Sequence, residues 1–472
     1  MKIAVIGAGP AGLTAAYILS KNNYEVDVFE ANSQVGGLSA TISLWNQKVD
    51  LGPHRFFSTD PRVNELWFEL VKNDYRSVKR LTRIYYKNNF FDYPLTFKSV
   101  LRNVGIRTAL LCILSYLKQK VLPSKEDGSF ESWVCRRFGR RLFSIFFKSY
   151  SEKLWGIPCS DIDSDFAAQR IRKLSLFEAL KNIFFKGTKN KHKTLIDQFL
   201  YPKGGSGMLY ERMADALKSA GNNIYLNTPV KRLINGRDRI EGIELNNGTI
   251  LHYDHVISTM PFTNLISGLA NIPREIAALS AKLKFRNTIL VYLLVEAIDI
   301  FPDNWIYIHS SNLKMGRVTN FRNWVPELYG NEKNTILAVE FWCNPLDGFS
   351  KWPDEQLINL AKTEIVEAKL ADERIVKDGH VIRINKSYPV YEKGYKSYLN
   401  PLNQYLSQFN NLSVIGRYGS FKYNNQDHSI LMGLMSAENI MNHTKHNLSL
   451  INSDFDTYQE DGYIQQPSTS KL

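Results

Sequence analysis

The strongest constraint on the fold lies in the first thirty residues. Lys2 to Ile6 is a short β-branched run, and Gly7-Ala8-Gly9-Pro10-Ala11-Gly12 follows it directly. An alanine- and leucine-rich helical pattern then runs from Ala11 to Lys21, and Glu25 to Glu30 alternates as a second strand. A G-x-G-x-x-G between strand and helix, with an acid ending the next strand, is the fingerprint of a dinucleotide-binding βαβ unit. Gly7 allows the tight turn, Gly9 lets backbone approach a pyrophosphate, and Gly12 lets helix pack on strand. Pro10 and Ala11 open a helix whose first N–H groups and partial positive charge attract phosphate. Glu30, eighteen residues beyond Gly12, supplies a carboxylate for the ribose hydroxyls.

A second glycine pair, Gly36-Gly37, follows Glu30 closely with Leu38 behind it. Plain NAD(P) dehydrogenases lack such a pair, whereas flavoproteins use one to cover the FAD pyrophosphate, so FAD is the expected cofactor. The chain returns to a βαβ-like pattern at 204–262: Gly204 to Gly207, a helical stretch from Met208 to Ser219, strands from Asn223 and from Pro229 through Val230, a hairpin tipped by Asn246-Asn247-Gly248, and a strand at His255 to Thr259. Residues 97–200 read as mostly helical and basic, with Lys186, Lys189, Lys191 and Lys193 around one loop. Strands are expected at 286–298, 335–344 and 411–416, and helices at 353–370 and from Leu431 to His443. The final 25 residues or so lack periodicity and read as a loose tail.

Composition narrows the class. Hydrophobic residues at 44% and charged residues at 22% exclude wholesale disorder. The net charge of +13 over 472 residues favours polyanionic partners: phosphorylated small molecules, nucleic acid or an acidic membrane face. No nucleic-acid-binding module accompanies the charge, so nucleic acid is not expected as a partner. No run of eighteen apolar residues spans a membrane, and glycine arrives before a signal-peptide hydrophobic region forms. Cys112, Cys135, Cys159 and Cys343 are too scattered for a zinc site, and no metal is expected. A cytoplasmic enzyme is the expectation.

Three further blocks carry a resemblance. Gly52-Pro53-His54-Arg55-Phe56-Phe57-Ser58-Thr59, with Val63 beyond, resembles the G-P-H-x-F-H-T…V motif of UDP-galactopyranose mutases. Phe146-Phe147-Lys148-Ser149-Tyr150 through Trp155-Gly156 is similar to that family's F-F-K-G-Y-x-x-x-Q-W-G. Gly416-Arg417-Tyr418-Gly419-Ser420-Phe421-Lys422-Tyr423, then Asp427, is similar to G-R-L-G-T-Y-R-Y-x-x-x-D, with Tyr388-Pro389-Val390 resembling Y-Y-P-I before it. The matches are collinear across residues 1–440. More distantly the chain resembles protoporphyrinogen oxidases, phytoene desaturases and amine oxidases, which share the FAD module.

By position, the resemblance implies that His54 and Arg417 lie near the flavin and Gly416 beside it, that Trp155 lines the base or sugar side of a pocket, that Arg170 binds a diphosphate, and that Tyr388 and Tyr423 hydrogen-bond substrate phosphates. Leu38 and Val230 join the cofactor set. An arginine fork suits phosphate, and tyrosine hydroxyls orient it without adding charge. In that family reduced FAD attacks the anomeric carbon and is regenerated, so a reductant is needed to prime it. Two departures argue against UDP-galactose itself: Phe57 replaces the second histidine of the first motif, and Cys343 in Glu340-Phe341-Trp342-Cys343 stands where the family has another diphosphate arginine. Losing such an arginine costs about 1.5–3 kcal/mol of phosphate binding. Arg317 and Arg322 are the nearest replacements in sequence.

Blander readings stand beside these. His54 and Trp155 are also readable as core, and Arg170 as a surface partner of Asp163 or Asp165. Ile106 to Leu117 reads first as a buried helix; the alternative is a surface helix resting on an anionic bilayer, which would make the enzyme peripheral to the inner face of a membrane and the substrate a lipid-linked sugar. The expected fold is α/β: a Rossmann-like FAD-binding lobe of the glutathione-reductase type (1–96, 201–262 and 405–447), a helical insertion (97–200), a mixed or antiparallel-sheet substrate lobe (263–404) and a tail (448–472). The expected function is an FAD-dependent, mutase-like rearrangement of a nucleotide- or carrier-linked sugar in glycan-precursor biosynthesis. The rival is an FAD-dependent oxidase or desaturase of an apolar or amine substrate, and a flavin-binding assembly protein is a third reading. Oligomeric state is left open.

Overall fold

Five short strands form the base of the nucleotide lobe, all parallel, in the spatial order Leu412–Val414, His255–Ser258, Lys2–Ile6, Glu25–Phe29, Asn223–Tyr225. The architecture comes from a computed structural model that describes residues 1–93, 95, 97–165 and 198–452. A parallel sheet must be covered on both faces, which is why Lys2–Ile6 is buried along almost its whole length rather than on alternate residues. The helix Pro10–Lys21 covers one face, and the helices Met208–Ser219 and Gln426–Asn442 pack against it. The last of these begins five residues earlier than its apolar pattern suggests, because Asn425 and His428 form a reciprocal cap at its start.

The second lobe is a seven-stranded mixed sheet, ordered Val376–Pro389, Phe285–Val295, Thr335–Cys343, Arg317–Asn320, Trp305–Ile308, Thr82–Tyr86, Asn89–Asp92. Its neighbours are antiparallel except Trp305–Ile308 beside Thr82–Tyr86. Residues 82–92, which the sequence reading places in the nucleotide lobe, therefore belong to this sheet. A buried Asp303 carboxylate bridging to Arg83 at 2.5 Å fixes that edge. On Thr335–Cys343 the two faces separate cleanly. Leu337, Val339, Phe341 and Cys343 join a core with Leu357, Ala361 and Ile365 of the helix Asp354–Glu367. Ile336 and Ala338 face the opposite way, toward Tyr292 and Trp305.

The insertion begins with Phe97–Val121, kinked at Gly105, then Phe130–Phe138, Arg140–Phe146 and Lys148–Trp155. Its final residues enter the strand Gln198–Pro202, which pairs with Tyr75–Lys79. The buried-helix reading of Ile106 to Leu117 is overturned: Ala109, Cys112 and Tyr116 face inward, while Ile106, Leu110, Leu114 and Leu117 are at least half exposed. Residues 448–452 correct the loose-tail reading. Leu448–Leu450 forms a short turn of helix, Lys422 donates to the carbonyls of Ser449 and Ile451, and Asn452 Nδ2 donates to the Tyr423 carbonyl at 3.0 Å. Arg170 and the basic loop 186–193 lie outside the described residues. Among the described residues no helix is long and apolar enough to cross a membrane, and no cluster of metal ligands occurs.

Candidate active site

The cofactor end of the site sits at the carboxyl ends of the parallel strands, where open α/β sheets bind nucleotides. Gly7, Gly9, Pro10, Ala11 and Gly12 form the turn and first helical turn, with Gly9 as the cap and Pro10 as the first helical residue, where its missing N–H costs nothing. Glu30, buried at the end of Glu25–Phe29, accepts the Ala8 N–H at 2.8 Å and, through its other oxygen, the Asn32 N–H at 2.9 Å. Those bonds, with a further one from the Asn32 side-chain amide at 2.8 Å, orient the carboxylate and leave one lone pair for a ribose hydroxyl. The second glycine loop locks onto the first by Gly36 N–H to Ala8 O at 2.8 Å. A Cβ on Gly37 would lie 3.1 Å from Gly9 Cα, and its φ of +53° disfavours any side chain. The cradle between the two loops thus exists only for glycine. Leu38 is half-buried in the turn that follows. Val230 begins a strand two residues beyond Thr228, whose N–H donates to the Glu30 carbonyl at 2.8 Å.

The other end of the candidate site is an aromatic and cationic cluster drawn from widely separated chain regions. Arg417 donates from Nε to the Ser387 carbonyl at 2.9 Å and from a terminal nitrogen to the Asn424 carbonyl at 2.9 Å. Its guanidinium lies 4.6 Å from the ring centre of Tyr388 and 4.4 Å from that of Tyr423, and these rings stack at 5.4 Å. Trp155 is 1% exposed, stacks on Tyr391 at 5.9 Å and meets Tyr388 and Tyr423 edge-on. It therefore backs the tyrosine pair from the core. The Trp155 helix ends at Gly156, where a Cβ would strike the Arg286 guanidinium at 2.2 Å. Arg286 in turn donates to the carbonyls of Lys153, Leu154 and Trp342, stitching this helix to the sheet. Lys153, its amine lowered to about 8 by burial, donates to the carbonyls of Ile308, Ser310 and Met315.

Arg317 and Glu340 face each other on adjacent strands and form a two-pronged ion pair at 2.6 and 2.7 Å. Burial opposes the Arg317 charge, but Glu340 outweighs it and holds the guanidinium well above its ordinary range. Both groups lie beside Gly52, as does the His54 ring. Burial, then the charges of Arg317 and Arg417, push His54 down to about 3, so the imidazole is neutral at physiological pH. Its Nδ1 is buried without a partner among the described residues. Tyr150 extends the cluster, stacking on His309 at 4.7 Å and meeting Trp342 and Tyr307 edge-on.

Of the two arginines nearest in sequence to the Cys343 position, Arg317 reaches the site. Arg322 does not: it donates to the carbonyls of Glu332 and Asn334 and stacks on Tyr329. Cys343 faces the helix-covered side of the sheet, and Trp342, one residue earlier, takes the site side. Tyr150, Arg317, Glu340 and Trp342 all belong to stretches that invite attention in the sequence. Their convergence depends on strand pairing, which no local pattern encodes.

A two-loop glycine cradle on a parallel sheet, an acid at the second strand and an orphaned buried imidazole beyond them fit a dinucleotide-sized flavin, and the class they define is the FAD enzyme. The model of the flavin-containing amine oxidoreductase family matches residues 10–438, and the chain belongs to that family. Among curated proteins, a 4,4'-diapophytoene desaturase (4,4'-diaponeurosporene-forming) of Staphylococcus aureus (strain COL) is 26% identical over 301 residues, covering 57% of each chain. The chain thus spans little more than half the length of the curated relatives it matches. Among solved structures, reduced UDP-galactopyranose mutase superposes with a TM-score of 0.83 at 22% identity over 96% of both chains. A redesigned putrescine oxidase superposes with a TM-score of 0.63 at 15% identity, covering 94% of this chain and 99% of that one. The fold is therefore common to mutase and oxidase.

Proposed function

We propose that this FAD enzyme rearranges a diphosphate-linked sugar, carried on a nucleotide or another carrier, with the flavin in its reduced form, in glycan-precursor biosynthesis. The observation that carries the reading is Arg417 laid across the Tyr388–Tyr423 stack, beside neutral His54. Two of the five guanidinium N–H groups are committed to carbonyls, which leaves donors for an anion. The two tyrosines add hydroxyl groups of the kind that orient phosphate or sugar oxygens, and Trp155 holds them in place from behind. His54, uncharged, exchanges hydrogen bonds without bringing a second positive charge against Arg417. Reduced FAD supplies the electron-rich centre of such a rearrangement, while the protein positions the sugar and neutralises the phosphates. Arg170 is proposed as a further diphosphate ligand.

One observation favours the rival reading, an oxidoreductase acting on an apolar or amine substrate. Glu340 already neutralises Arg317, so that arginine is not left to a second phosphate. The likeness to a desaturase points the same way. A single anaerobic experiment separates the two. Photoreduced enzyme is mixed with a panel of sugar nucleotides and the products are separated. Ring-size isomers formed with the flavin still reduced support the rearrangement. Bleaching of the oxidised flavin by an apolar or amine substrate, with no isomer from any sugar nucleotide, establishes the oxidoreductase instead.

A further inference from the structure

The first helix of the insertion carries a surface that neither catalytic reading uses. Ile106, Leu110, Leu114, Leu117 and Val121 are each between 50% and 77% exposed. At about 100° per residue they fall within an arc of about 80°, with the buried Ala109, Cys112 and Tyr116 centred about 130° away and Leu111, 49% exposed, lying about 60° outside the arc. Leu122, 69% exposed, prolongs the stripe past the helix end. Single exposed leucines are ordinary; an unbroken apolar stripe along four helical turns is not.

Charge indicates what covers it. Exposed Arg107 and Lys118 lie along one edge of the stripe and exposed Lys120 along the other. Between residues 102 and 125 the sequence holds five cations and no carboxylate. Exposed Arg141 is added from the neighbouring helix, whose Arg141 N–H donates to Ser115 Oγ at 3.1 Å. Apolar side chains in the middle with long cationic ones at both margins is the pattern of a helix lying in a lipid–water interface, leucines in the acyl boundary and amines at the headgroups. A second copy of the chain is a poor occupant, because a two-fold contact would set these cations against their own equivalents. We propose that this face docks the enzyme on an anionic lipid bilayer. Asn103, just before the kink at Gly105, donates from Nδ2 to the Phe90 carbonyl at 2.7 Å, tying the segment that leads into the docking helix to the edge of the sheet that carries Tyr307. The assignment holds for either reaction.

Flotation of the FAD-loaded protein with phosphatidylcholine vesicles, with and without phosphatidylglycerol, tests it. Wild type should float with the anionic vesicles and be released by salt. The variant Leu110→Glu/Leu114→Glu/Leu117→Glu should keep its flavin absorbance and float at least about tenfold less, since it places charge in the acyl boundary. Should that variant lose its flavin, Lys118→Glu/Lys120→Glu serves instead, with loss confined to the anionic vesicles. Wild type that floats with neither vesicle overturns the proposal, as does a variant that floats as well as wild type. Self-association of the wild type, abolished in the leucine variant and with no flotation, also overturns it and assigns the face to a second copy.

Discussion

Arg417 combines the most demands on a single side chain. Its fork closes a turn by bonding Ser387 and Asn424, and its face packs on two tyrosines that the proposed substrate would also touch. Arg417→Ala should weaken binding of a sugar nucleotide at least about tenfold, the loss of one charge-assisted contact. Arg417→Lys should recover part of the charge but not the fork. Calorimetric titration of UDP into both variants is the check, and unchanged affinity in the alanine variant would confine Arg417 to a structural role. Asp50 poses a different residue-scale question. Burial pushes its carboxyl up to about 7, against hydrogen bonds from Thr41, Tyr201 and Ser206 that favour the charged form. The folded protein therefore holds this proton up to about pH 7, whereas the unfolded chain releases it near 3.8. The stabilisation is complete below 3.8 and is lost as pH rises through 7, an effect on the order of 4 kcal/mol. Urea unfolding of wild type and Asp50→Asn from pH 4 to 7.5 should show their stability difference moving in that sense, and a constant difference would sink the assignment.

At the scale of elements, the glycine loops and the helix they open behave as one device. Gly37→Ala forces a Cβ to within 3.1 Å of Gly9 Cα at a φ that alanine resists, so the cradle must open. The variant should fold, since the clash is at the surface of the cradle and not in the sheet, yet retain FAD poorly. The flavin-to-protein absorbance ratio after gel filtration is the measurement, and full retention would show that the second loop does not frame the cofactor. This device was legible from residues alone, because its working parts are held by bonds within a stretch of about thirty residues. Strands such as Phe285–Val295 and Thr335–Cys343 were legible too, being long and apolar. Which way they face was not. Cys343 stands at the position that the motif comparison aligned with an arginine, and the register of the sheet turns it toward Leu357 and Ala361. The apolar helix around Leu110 failed for a related reason: hydrophobic on nearly every side, it gave no clue to which arc is packed.

For the whole molecule, the nucleotide lobe is assembled from strands hundreds of residues apart, Lys2–Ile6 beside His255–Ser258 beside Leu412–Val414. A cofactor held at the ends of these strands links segments that the chain alone joins only through long connections. FAD binding should therefore raise global stability: free FAD at 100 times its dissociation constant contributes about 2.7 kcal/mol. Thermal unfolding of stripped and reloaded protein tests this, and coincident curves would mean that the folded state does not bind FAD in preference to the unfolded one.

That this chain builds a βαβ dinucleotide unit and binds FAD follows from local residues, since each glycine and Glu30 acts on neighbours close along the chain. What surrounds the flavin site depends on long-range packing. His54, Tyr150, Arg317, Glu340 and Arg417 meet because Arg317–Asn320 pairs with Thr335–Cys343 and the Trp155 helix is pinned across the same sheet by Arg286. Side-chain direction on a strand reverses with every residue, so one step in register separates a group in the site from a group in the core.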